Sequence, residues 1–424
     1  MSNERKRSNS DVISPQRDSA MAPSARSGRE GRGQLRVCEV TSCYPPSRGG
    51  MERIAEAVAK ELRNEGHEVV VVTSNRGLPR RSYHNKLEGL ELYRYPEYHL
   101  PFMEAVVSPG LLGHVLCERF DVLHVHGMTP TITEICVLIA KLKRKPVVVS
   151  YHYDAETTGP LASFLKALYE MLLLPIMKLS DVMTVLSPSY ARTSPILSRL
   201  QGRLILIPGG VDTRRFSSDR IESQRKPDPA IILYVGKIIH YKGIEYLVDA
   251  MPTVLARVPN ARLILSGKSN NPRYEAMITR RIAISAAKEA ILWENEWVDQ
   301  DKLIQHYREC RVLVLPSVSR REAFGLVLIE AMSIGRPIIA TSIPGPSDVV
   351  RKDVNGFLVP PRDKEMLAEA IIRVLSDRKT AERMGEMSRD LAKQYDWESV
   401  AARHAKVIEE CARAHPKGLY TGCI

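Results

Sequence analysis

The amino-acid sequence predicts an α/β protein with two doubly wound parallel-sheet domains that face a central cleft. Short runs of Val, Ile and Leu alternate with helical stretches along most of the chain, which is typical of parallel strands buried on both faces. A polar segment that ends in prolines, residues 217–229, interrupts the alternation, which then starts again. The length of 424 residues also suits two or three domains of ordinary size. We therefore expect one domain over residues 35–216 and a second over residues 230–395, joined by the linker.

Each half of the chain supplies its own series of strands. In the first half the predicted strands occupy residues 35–42, 68–74, 90–95, 121–127, 146–152, 181–187 and 203–209. Between the first two, residues 51–66 predict a helix, because Ile54, Val58 and Leu62 share one face and a Gly ends the pattern. In the second half the predicted strands occupy residues 230–237, 261–268, 290–297, 311–317, 337–342 and 356–360. Open α/β sheets bind ligands beyond the carboxyl ends of their strands, so two facing sheets predict a ligand cleft between them.

The composition is that of an ordinary globular protein, with 44% hydrophobic and 26% charged residues. No apolar run of about 18 residues occurs, so a membrane-spanning helix is not predicted. Residues 1–34 are rich in Ser, Arg and Gly and predict a disordered basic tail without the apolar core of a secretory signal. The seven cysteines are scattered and lack metal-site spacing, so we interpret them as reduced thiols of a cytoplasmic protein.

The net charge of +12 indicates an anionic partner, which could be nucleic acid, a phosphorylated small molecule or an acidic lipid surface. Nucleic acid is disfavoured because only 6% of residues are aromatic and no RNA-binding motif or zinc finger occurs. The apolar stretch 161–179 and the basic cluster 141–145 could together form a peripheral contact with the anionic inner face of a membrane. The alternative is a buried helix beside a solvated basic loop.

Gly49 and Gly50 stand between a predicted strand and a predicted helix. Glycines at this position let the backbone approach a ligand, and the helix N-terminus offers N–H groups to an anion. The alternative is an ordinary tight turn. The chain has neither a complete GxGxxG at this turn nor a GxxxxGK[ST] motif, so neither a dinucleotide-dependent dehydrogenase nor a P-loop ATPase is indicated.

Polar residues end two neighbouring strands of the first half. His124 and His126 alternate on one face of their strand, and the next strand ends in His152 and Asp154. We expect His124 to be a buried polar residue and His126 to reach the cleft, with His152 and Asp154 as candidates on the acceptor side together with Gly49. The paired histidines raise the possibility of a metal site, but the sequence shows no third ligand at a convincing spacing.

Lys237 and Lys242 flank a loop that Gly243 closes, after the first strand of the second half. Two cations beside a helix start suit a diphosphate. The alternative is a solvated charged loop.

The stretch of residues 321–341 is the most specific motif. Glu322 lies in the loop before a predicted helix and Glu330 lies inside that helix, so both could face one small ligand and accept hydrogen bonds from sugar hydroxyls. The backbone N–H groups of Phe324, Gly325 and Leu326 at the helix start could meet a phosphate. The alternative is one surface Glu and one structural Glu.

Asp299 and Asp301 have the spacing of a DxD metal motif, but they directly precede a helical pattern. An Asp at a helix N-terminus caps the helix and interacts favourably with its dipole. We therefore expect capping and no required metal ion.

The ordered set of these motifs resembles glycosyltransferase family 4, the group 1 glycosyl transferases with the GT-B fold of two Rossmann-like domains. The resemblance runs from about residue 36 to about residue 410. It is carried by the Gly-Gly loop, GHEVVVVT (66–73), DVLHVHG, SDVMTVLSPSY (180–190), IPGGVDTRRF (207–216), VGKIIHYKGIEYLVDA (235–250), EAFGLVLIEAMSIGRPIIAT (322–341) and NGFLVP (355–360).

The resemblance implies a nucleotide-sugar donor held mainly by the second domain and an acceptor held by the first. His126 matches the His near the donor sugar, and Lys237 and Lys242 match the basic pair on the diphosphate. Glu322 matches the residue that contacts the donor sugar, and Glu330 the one that contacts the ribose.

Gly50 matches the loop that approaches the diphosphate, and residues 396–424 match the C-terminal helix and tail that cross back to the first domain. This sequence departs from the family pattern at Lys237, where an Arg is usual, and at Pro346 and Asp348, in a loop that often reads Gly-Gly-x-x-Glu.

The family resemblance also implies a retaining hexosyl transfer by a front-face route, in which the leaving diphosphate helps to deprotonate the acceptor hydroxyl. We expect Lys242 and the backbone N–H groups to stabilise that leaving group. The nucleotide sugar is a substrate, so no cofactor is expected. A glycan or lipid-linked acceptor is favoured by the basic and apolar residues of the first half. The alternatives are another sugar-nucleotide enzyme of this fold, an epimerase or a sugar-phosphate synthase, and a basic nucleic-acid-binding protein.

Overall fold

The structure is a computed structural model that describes residues 33–47, 49–76, 78–99, 106–127, 130–154, 160–217 and 230–414. Almost all of the predicted basic tail and of the predicted linker lies outside these residues, as do the last ten residues of the chain.

The first domain alternates strands and helices from its first residue onwards. Its elements are β1 (Arg36–Thr41), α1 (Gly50–Asn64), β2 (Glu68–Ser74), β3 (Tyr83–Leu87), β4 (Leu90–Tyr95), β5 (Tyr98–His99), β6 (Val106–Val107), α2 (Pro109–Cys117), β7 (Val122–Gly127), α3 (Ile132–Leu142), β8 (Val147–Tyr151), α4 (Pro160–Met177), β9 (Val182–Val185), α5 (Pro188–Thr193), β10 (Leu204–Leu206) and α6 (Thr213–Ser217).

The main sheet of the first domain has the order β10-β9-β8-β7-β1-β2-β4-β3. All neighbours in it are parallel except β3, which pairs with β4 in an antiparallel hairpin. Strand β3 is not predictable from the sequence because its residues, YHNKL, are polar and largely exposed at the sheet edge. The hairpin turns at Glu88 and Gly89, both of which have positive φ.

The second domain repeats the alternation. Its elements are β11 (Ile231–Val235), α7 (Ile244–Arg257), β12 (Arg262–Ser266), α8 (Pro272–Ile284), β13 (Ile291–Glu294), α9 (Gln300–Glu309), β14 (Val312–Leu315), α10 (Leu326–Ser333), β15 (Ile338–Thr341), α11 (Pro346–Val349), β16 (Gly356–Val359), α12 (Lys364–Ser376), α13 (Arg378–Ala392) and α14 (Trp397–Ala414). Its parallel sheet has the order β13-β12-β11-β14-β15-β16.

Both sheets reverse their strand order at one point, and this fixes where ligands can bind. In the first domain the chain runs outwards from β1 through β2 and then returns to β7 on the other side of β1. In the second domain β12 and β14 flank β11 in the same way. The crevices of doubly wound sheets open at such switch points, beyond the carboxyl ends of the strands. The predicted two-domain, doubly wound fold is confirmed.

The last helix, α14, packs on α1, β7 and β8 of the first domain. Its apolar side chains Val400, Val407 and Ile408 join the core that covers one face of the first sheet. The chain therefore contributes to the first domain twice, once from its N-terminal half and once from its last helix.

Candidate functional site

The glycine loop of the first domain lies directly against the start of α10 in the second domain. A Cβ on Gly50 would lie only 2.8 Å from Leu326 Cδ1. On the neighbouring loop of the first domain, a Cβ on Gly209 would lie 2.4 Å from Leu326 Cδ2 and 3.0 Å from Phe324 Cδ1. Real Cβ contacts are longer than this, so these glycines are what allow the two domains to approach. The N-termini of α1 and α10 therefore meet at the cleft.

Gly325 is the residue that turns the chain into α10. It has φ 86° and ψ 63°, in the left-handed region, and a Cβ there would lie 2.9 Å from Leu315 Cδ2. Only glycine adopts this conformation without strain. The first N–H groups of a helix have no partner within the helix, so the start of α10 presents donors to an anion in the cleft.

Lys242 and Glu322 form an ion pair at the carboxyl edge of the second sheet. Ser317 Oγ donates to Glu322 Oε2 at 3.0 Å, and the lysine and glutamate side chains are only 13% and 11% exposed. Burial alone would lower the pKa of Lys242, but the Glu322 carboxylate opposes this effect and the pKa is raised overall. Lys242 therefore carries its positive charge throughout the physiological pH range.

Lys237 lies at the other end of the same loop and is partly buried. Its backbone carbonyl accepts a hydrogen bond of 2.8 Å from Tyr234 Oη, which fixes the start of the loop. A Cβ on Gly236, which has φ 143°, would lie 3.1 Å from that hydroxyl and 3.9 Å from Lys242 Nζ. The loop thus folds tightly around the Lys242 ammonium group.

Glu330 is held by side chains from both domains. Arg53, in the first turns of α1, forms an ion pair with Glu330 Oε1, and Tyr307 Oη donates to Glu330 Oε2 at 2.7 Å. The charge of Glu330 raises the pKa of Arg53 against the effect of burial. Glu330 is therefore oriented through both of its carboxylate oxygens, and its ion pair joins α1 to α10.

Further polar contacts join the domains. Ser189, in α5, donates to Asp348 Oδ2 through its backbone N–H at 2.9 Å and through its hydroxyl at 2.7 Å. Gly345 N donates to the same hydroxyl oxygen at 3.0 Å. Arg320 Nη2 lies 3.3 Å from Asp154 Oδ2 in the first domain. The departure from the family pattern at Asp348 therefore has a structural role, because this carboxylate holds the second domain to α5.

Asp154 is engaged on both of its oxygens. Tyr151 Oη and Ser194 Oγ donate to Oδ1, each at 2.6 Å, and Arg320 contacts Oδ2. Asp154 N donates to Tyr190 Oη at 2.6 Å. Asp154 thus fixes its own loop, and its role on the acceptor side stays a prediction.

His126 lies in a buried row of polar groups on the first sheet. Its Nε2 lies 2.8 Å from Glu39 Oε1, and its Nδ1 lies 3.4 Å from His152 Nε2. Burial lowers the pKa of both histidines to about 3, so both rings are neutral at physiological pH. The His126 side chain is fully covered in this conformation. Its contact with a donor sugar stays a prediction.

The structure places Gly50 against Leu326, pairs Lys242 with Glu322 and joins Glu330 to α1. The contacts that Arg53, Tyr307 and Ser189 make had no recognisable signal in the sequence because they join distant segments of the chain. By contrast, Asp299 caps α9, as the sequence predicts, since its side chain accepts from Lys302 N at 2.8 Å.

Two family models match adjoining parts of the chain. The model described as Glycosyltransferase Family 4 matches residues 48–215, and that described as Glycosyl transferases group 1 matches residues 216–410. The junction between them falls at the end of the first predicted domain.

Curated relatives match along most of their length. An uncharacterised glycosyltransferase of Methanocaldococcus jannaschii is 28% identical over 88% of this chain and 98% of its own. The sulfoquinovosyl transferase of Arabidopsis thaliana is 28% identical over 81% of this chain and 67% of its own. A phosphatidyl-myo-inositol mannosyltransferase of Mycolicibacterium smegmatis is 25% identical over 91% of this chain and 96% of its own.

Solved structures share the fold. The sucrose-phosphate synthase of Thermosynechococcus elongatus has a TM-score of 0.71 at 22% identity, covering 90% of this chain and 100% of its own. The Anabaena protein HepE, solved in complex with UDP, has a TM-score of 0.67 at 16% identity, covering 88% of this chain and 99% of its own. Within the described residues, no helix combines the length and the hydropathy needed to cross a bilayer.

Proposed function

Because the chain belongs to glycosyltransferase family 4 and has the GT-B fold, we propose that it transfers a hexosyl-type sugar, with retention of anomeric configuration, from a nucleoside diphosphate sugar to a hydroxyl of a glycan or lipid-linked acceptor. The observation that carries this proposal is the meeting of the α1 and α10 N-termini, with Lys242 paired to Glu322, which lies four residues before α10 begins. Helix N-termini and a buried cation are the groups that bind a diphosphate.

The proposed chemistry depends on stabilising the leaving diphosphate. As the bond between the anomeric carbon and the phosphate oxygen breaks, negative charge develops on that oxygen, next to Lys242 and the N–H groups at the start of α10. Such preorganised charges act strongly in a water-excluded site. The acceptor proton passes to a phosphate oxygen as the new glycosidic bond forms on the same face.

A double displacement would need a free carboxylate as nucleophile. The two carboxylates of the motif, Glu322 and Glu330, are instead paired with Lys242 and with Arg53 and Tyr307. This pairing suits carboxylates that orient sugar hydroxyls and supports the front-face route. Lys237 takes the position of the family's Arg and would contribute a single point charge to the diphosphate. This chemistry needs no metal ion.

The contacts between the domains support a closed state in which water is excluded. Contacts between side chains of the two domains span the cleft, and they include the pairs Arg53–Glu330, Ser189–Asp348 and Asp154–Arg320. Closing the domains would remove water, which otherwise competes with the acceptor hydroxyl.

The experiment has a binding stage and a product stage. Each of a panel of UDP-, GDP- and ADP-sugars is first tested for a rise in the melting temperature, since a ligand that binds the native state stabilises it. The stabilising donors are then incubated with glycan and lipid acceptors, and the anomeric configuration of the product is read by NMR. Transfer with retention supports the proposal. Inversion, or isomerisation of the donor without transfer, would overturn it.

The acceptor part of the proposal rests on the outer surface of the first domain. Apolar side chains on α3 and α4 are exposed to solvent: Leu138 at 45%, Leu142 at 76%, Phe164 at 66%, Met171 at 63% and Leu172 at 57%. Exposed apolar groups on adjacent helices suit a lipid surface. The neighbouring lysines are partly engaged by protein groups, since Lys141 pairs with Asp181 at 2.5 Å and Lys145 with Asp121 at 3.6 Å. We therefore assign most of the proposed membrane contact to the apolar residues.

Vesicle sedimentation tests this surface. We expect the wild type to bind phosphatidylglycerol vesicles more strongly than phosphatidylcholine vesicles, and Phe164→Ser with Met171→Ser to lower the bound fraction. Ile284→Ser, on α8 of the second domain, is the matched control because Ile284 is 76% exposed. Equal binding by the wild type and the double variant would contradict the membrane contact without touching the proposed transfer reaction.

A further inference from the structure

A buried cluster of titratable side chains lies beneath the cleft, between the first sheet and α14, and the transfer reaction does not use most of it. Glu39 comes from the middle of β1, His124 and His126 from β7, and His404 from α14. All four residues are at most 2% exposed. We call this group the Glu39 cluster.

The sheet register brings the cluster together. In the β1–β7 pairing, Glu39 is the direct partner of His124, and Thr41 is the partner of His126. Alternate residues of a strand share a face, so Glu39, His124 and His126 lie on the face that also carries Val37 and Val122. That face belongs to the core that α14 covers. His124 and His126 have ring centroids 4.1 Å apart, and the ring of His404 lies 6.2 Å from that of His124.

Several polar atoms of this cluster have no hydrogen-bond partner in the described part of the chain. They are Glu39 Oε2, His124 Nδ1 and both ring nitrogens of His404. An unsatisfied buried polar atom is destabilising, so a group of them in one place calls for a ligand. A ligand atom from each of Glu39, His124 and His126 lies within 4.8 Å of the other two, which is the spacing that one small cation can span.

We infer that the Glu39 cluster binds a divalent transition-metal ion of the zinc type, with Glu39, His124 and His126 as ligands and His404 completing the coordination from α14. Imidazole nitrogens and one carboxylate oxygen are a ligand set that Zn²⁺ prefers. The ion would take up a lone pair from Glu39 Oε2, from His124 Nδ1 and from one ring nitrogen of His404, while the other nitrogen of His404 keeps its proton.

The hydrogen bonds around the cluster suit this role. His124 Nε2 lies 2.8 Å from Ser150 Oγ, which in turn lies 2.8 Å from Thr184 Oγ1. These hydrogen bonds hold the His124 ring so that its Nδ1 is directed away from Ser150 and is available as a ligand. Metal-bound histidines regularly have such a hydrogen bond on their second nitrogen, which fixes the tautomer.

A second group of acidic residues and a histidine can be compared with the Glu39 cluster. It consists of Glu65, His67 and Glu409. Here both His67 nitrogens are engaged, since Leu35 N donates to Nδ1 at 3.3 Å and Nε2 lies 3.0 Å from Glu409 Oε1. This histidine has no ring nitrogen without a partner, whereas, within the described residues, the Glu39 cluster has unpartnered ring nitrogens on His124 and His404. We therefore assign the metal to the Glu39 cluster and a hydrogen-bonding role to His67.

The consequence of the metal is structural. It would fasten α14 to β1 and β7, and α14 is the helix by which the last segment of the chain returns to the first domain. The four ligand residues are at most 2% exposed, which suits a structural ion, and the test of the inference does not depend on activity.

The test uses the full chain, stripped with EDTA and titrated with Co²⁺ and then with Zn²⁺. We expect one Co²⁺ per chain with the visible absorption of a low-coordinate nitrogen and oxygen site, displacement of Co²⁺ by Zn²⁺, and a higher melting temperature with either ion. An absence of uptake and of the absorption band would overturn the inference and leave buried water as the occupant.

Variants then locate the ion. The isosteric Glu39→Gln, and separately His404→Gln, should weaken Co²⁺ binding by at least about 10-fold, whereas His67→Gln should leave stoichiometry and absorption unchanged. Uptake that is lost only with His67→Gln, or that is equal in all three variants, would overturn the assignment. The wild-type absorption spectrum reports the ligand type even where a variant fails to fold.

Discussion

Replacing Lys242 by Ala removes the cation that we place beside the leaving diphosphate. The ammonium group sits in a site where it is only 13% exposed, so water cannot substitute for it efficiently. The loss of one strong transition-state contact typically costs about 10²–10³-fold in kcat. We expect a fall in kcat of that size.

The same change leaves Glu322 without its cationic partner. Breaking a buried ion pair from one side costs about 3–5 kcal/mol, and the slight exposure of both groups favours the lower end, about 3 kcal/mol. The pKa of Lys242 is raised in the folded state. The ion pair therefore contributes its full stability at any pH below the pKa of an unfolded lysine, about 10.4. This stability is lost only as the pH rises through the pKa of the folded state. We therefore expect the destabilisation to be constant between pH 6 and pH 9.

The assay measures nucleoside diphosphate release well below the melting temperature of the variant, so that unfolding does not mimic a catalytic loss. Lys242→Arg keeps the charge and should retain much of the activity. Lys302→Ala is the matched control, because Lys302 also forms an ion pair with a glutamate, Glu294 at 3.0 Å, but is 40% exposed and lies on α9. Wild-type turnover by Lys242→Ala would refute the assignment of this residue to the diphosphate.

Three further outcomes are expected. Gly50→Val places a side chain against Leu326, because even a Cβ at this position would lie 2.8 Å from Leu326 Cδ1, and it should lower turnover at least about tenfold. Gly113→Ala is the control and should not lower turnover, because the space around Gly113 is open. Equal activities of the two variants would contradict the close approach of the domains. Asp348→Ala removes both hydrogen bonds that Ser189 donates to Asp348. It should enlarge the radius of gyration in small-angle scattering and raise the KM for the donor. An unchanged radius and KM would exclude a role of Asp348 in closing the two domains. Asp299→Ala removes the N-cap of α9 and should lower the free energy of unfolding, measured by urea titration, by about 1 kcal/mol. The activity should be unchanged. A loss of activity would instead favour a metal-binding role of Asp299.

The fold could be predicted from the sequence because buried parallel strands are continuous apolar runs and the helices between them have a clear period. The edge strand β3 could not, because its polar residues carry no such pattern. The donor motif was recognisable because Gly325, Glu322 and Glu330 lie close together in the chain.

Contacts between distant segments gave no sequence signal of their own. Arg53 is an ordinary helix residue until α10 brings Glu330 to it. Likewise, Glu39 and His404 lie 365 positions apart in the numbering and meet only because α14 folds back over β1 and β7. The sequence offers two signs of the Glu39 cluster, which are the charged residue in the middle of the apolar strand VCEVT and the paired histidines of the strand VLHVHG.

The most direct measurement is a crystal structure with the nucleoside diphosphate that most raises the melting temperature. We expect phosphate oxygens within about 2.7–3.2 Å of Lys242 Nζ and of the backbone N–H groups at the start of α10, with the ribose beside Glu330. A diphosphate bound away from the junction of α1 and α10, with Lys242 still paired only to Glu322, would contradict the account.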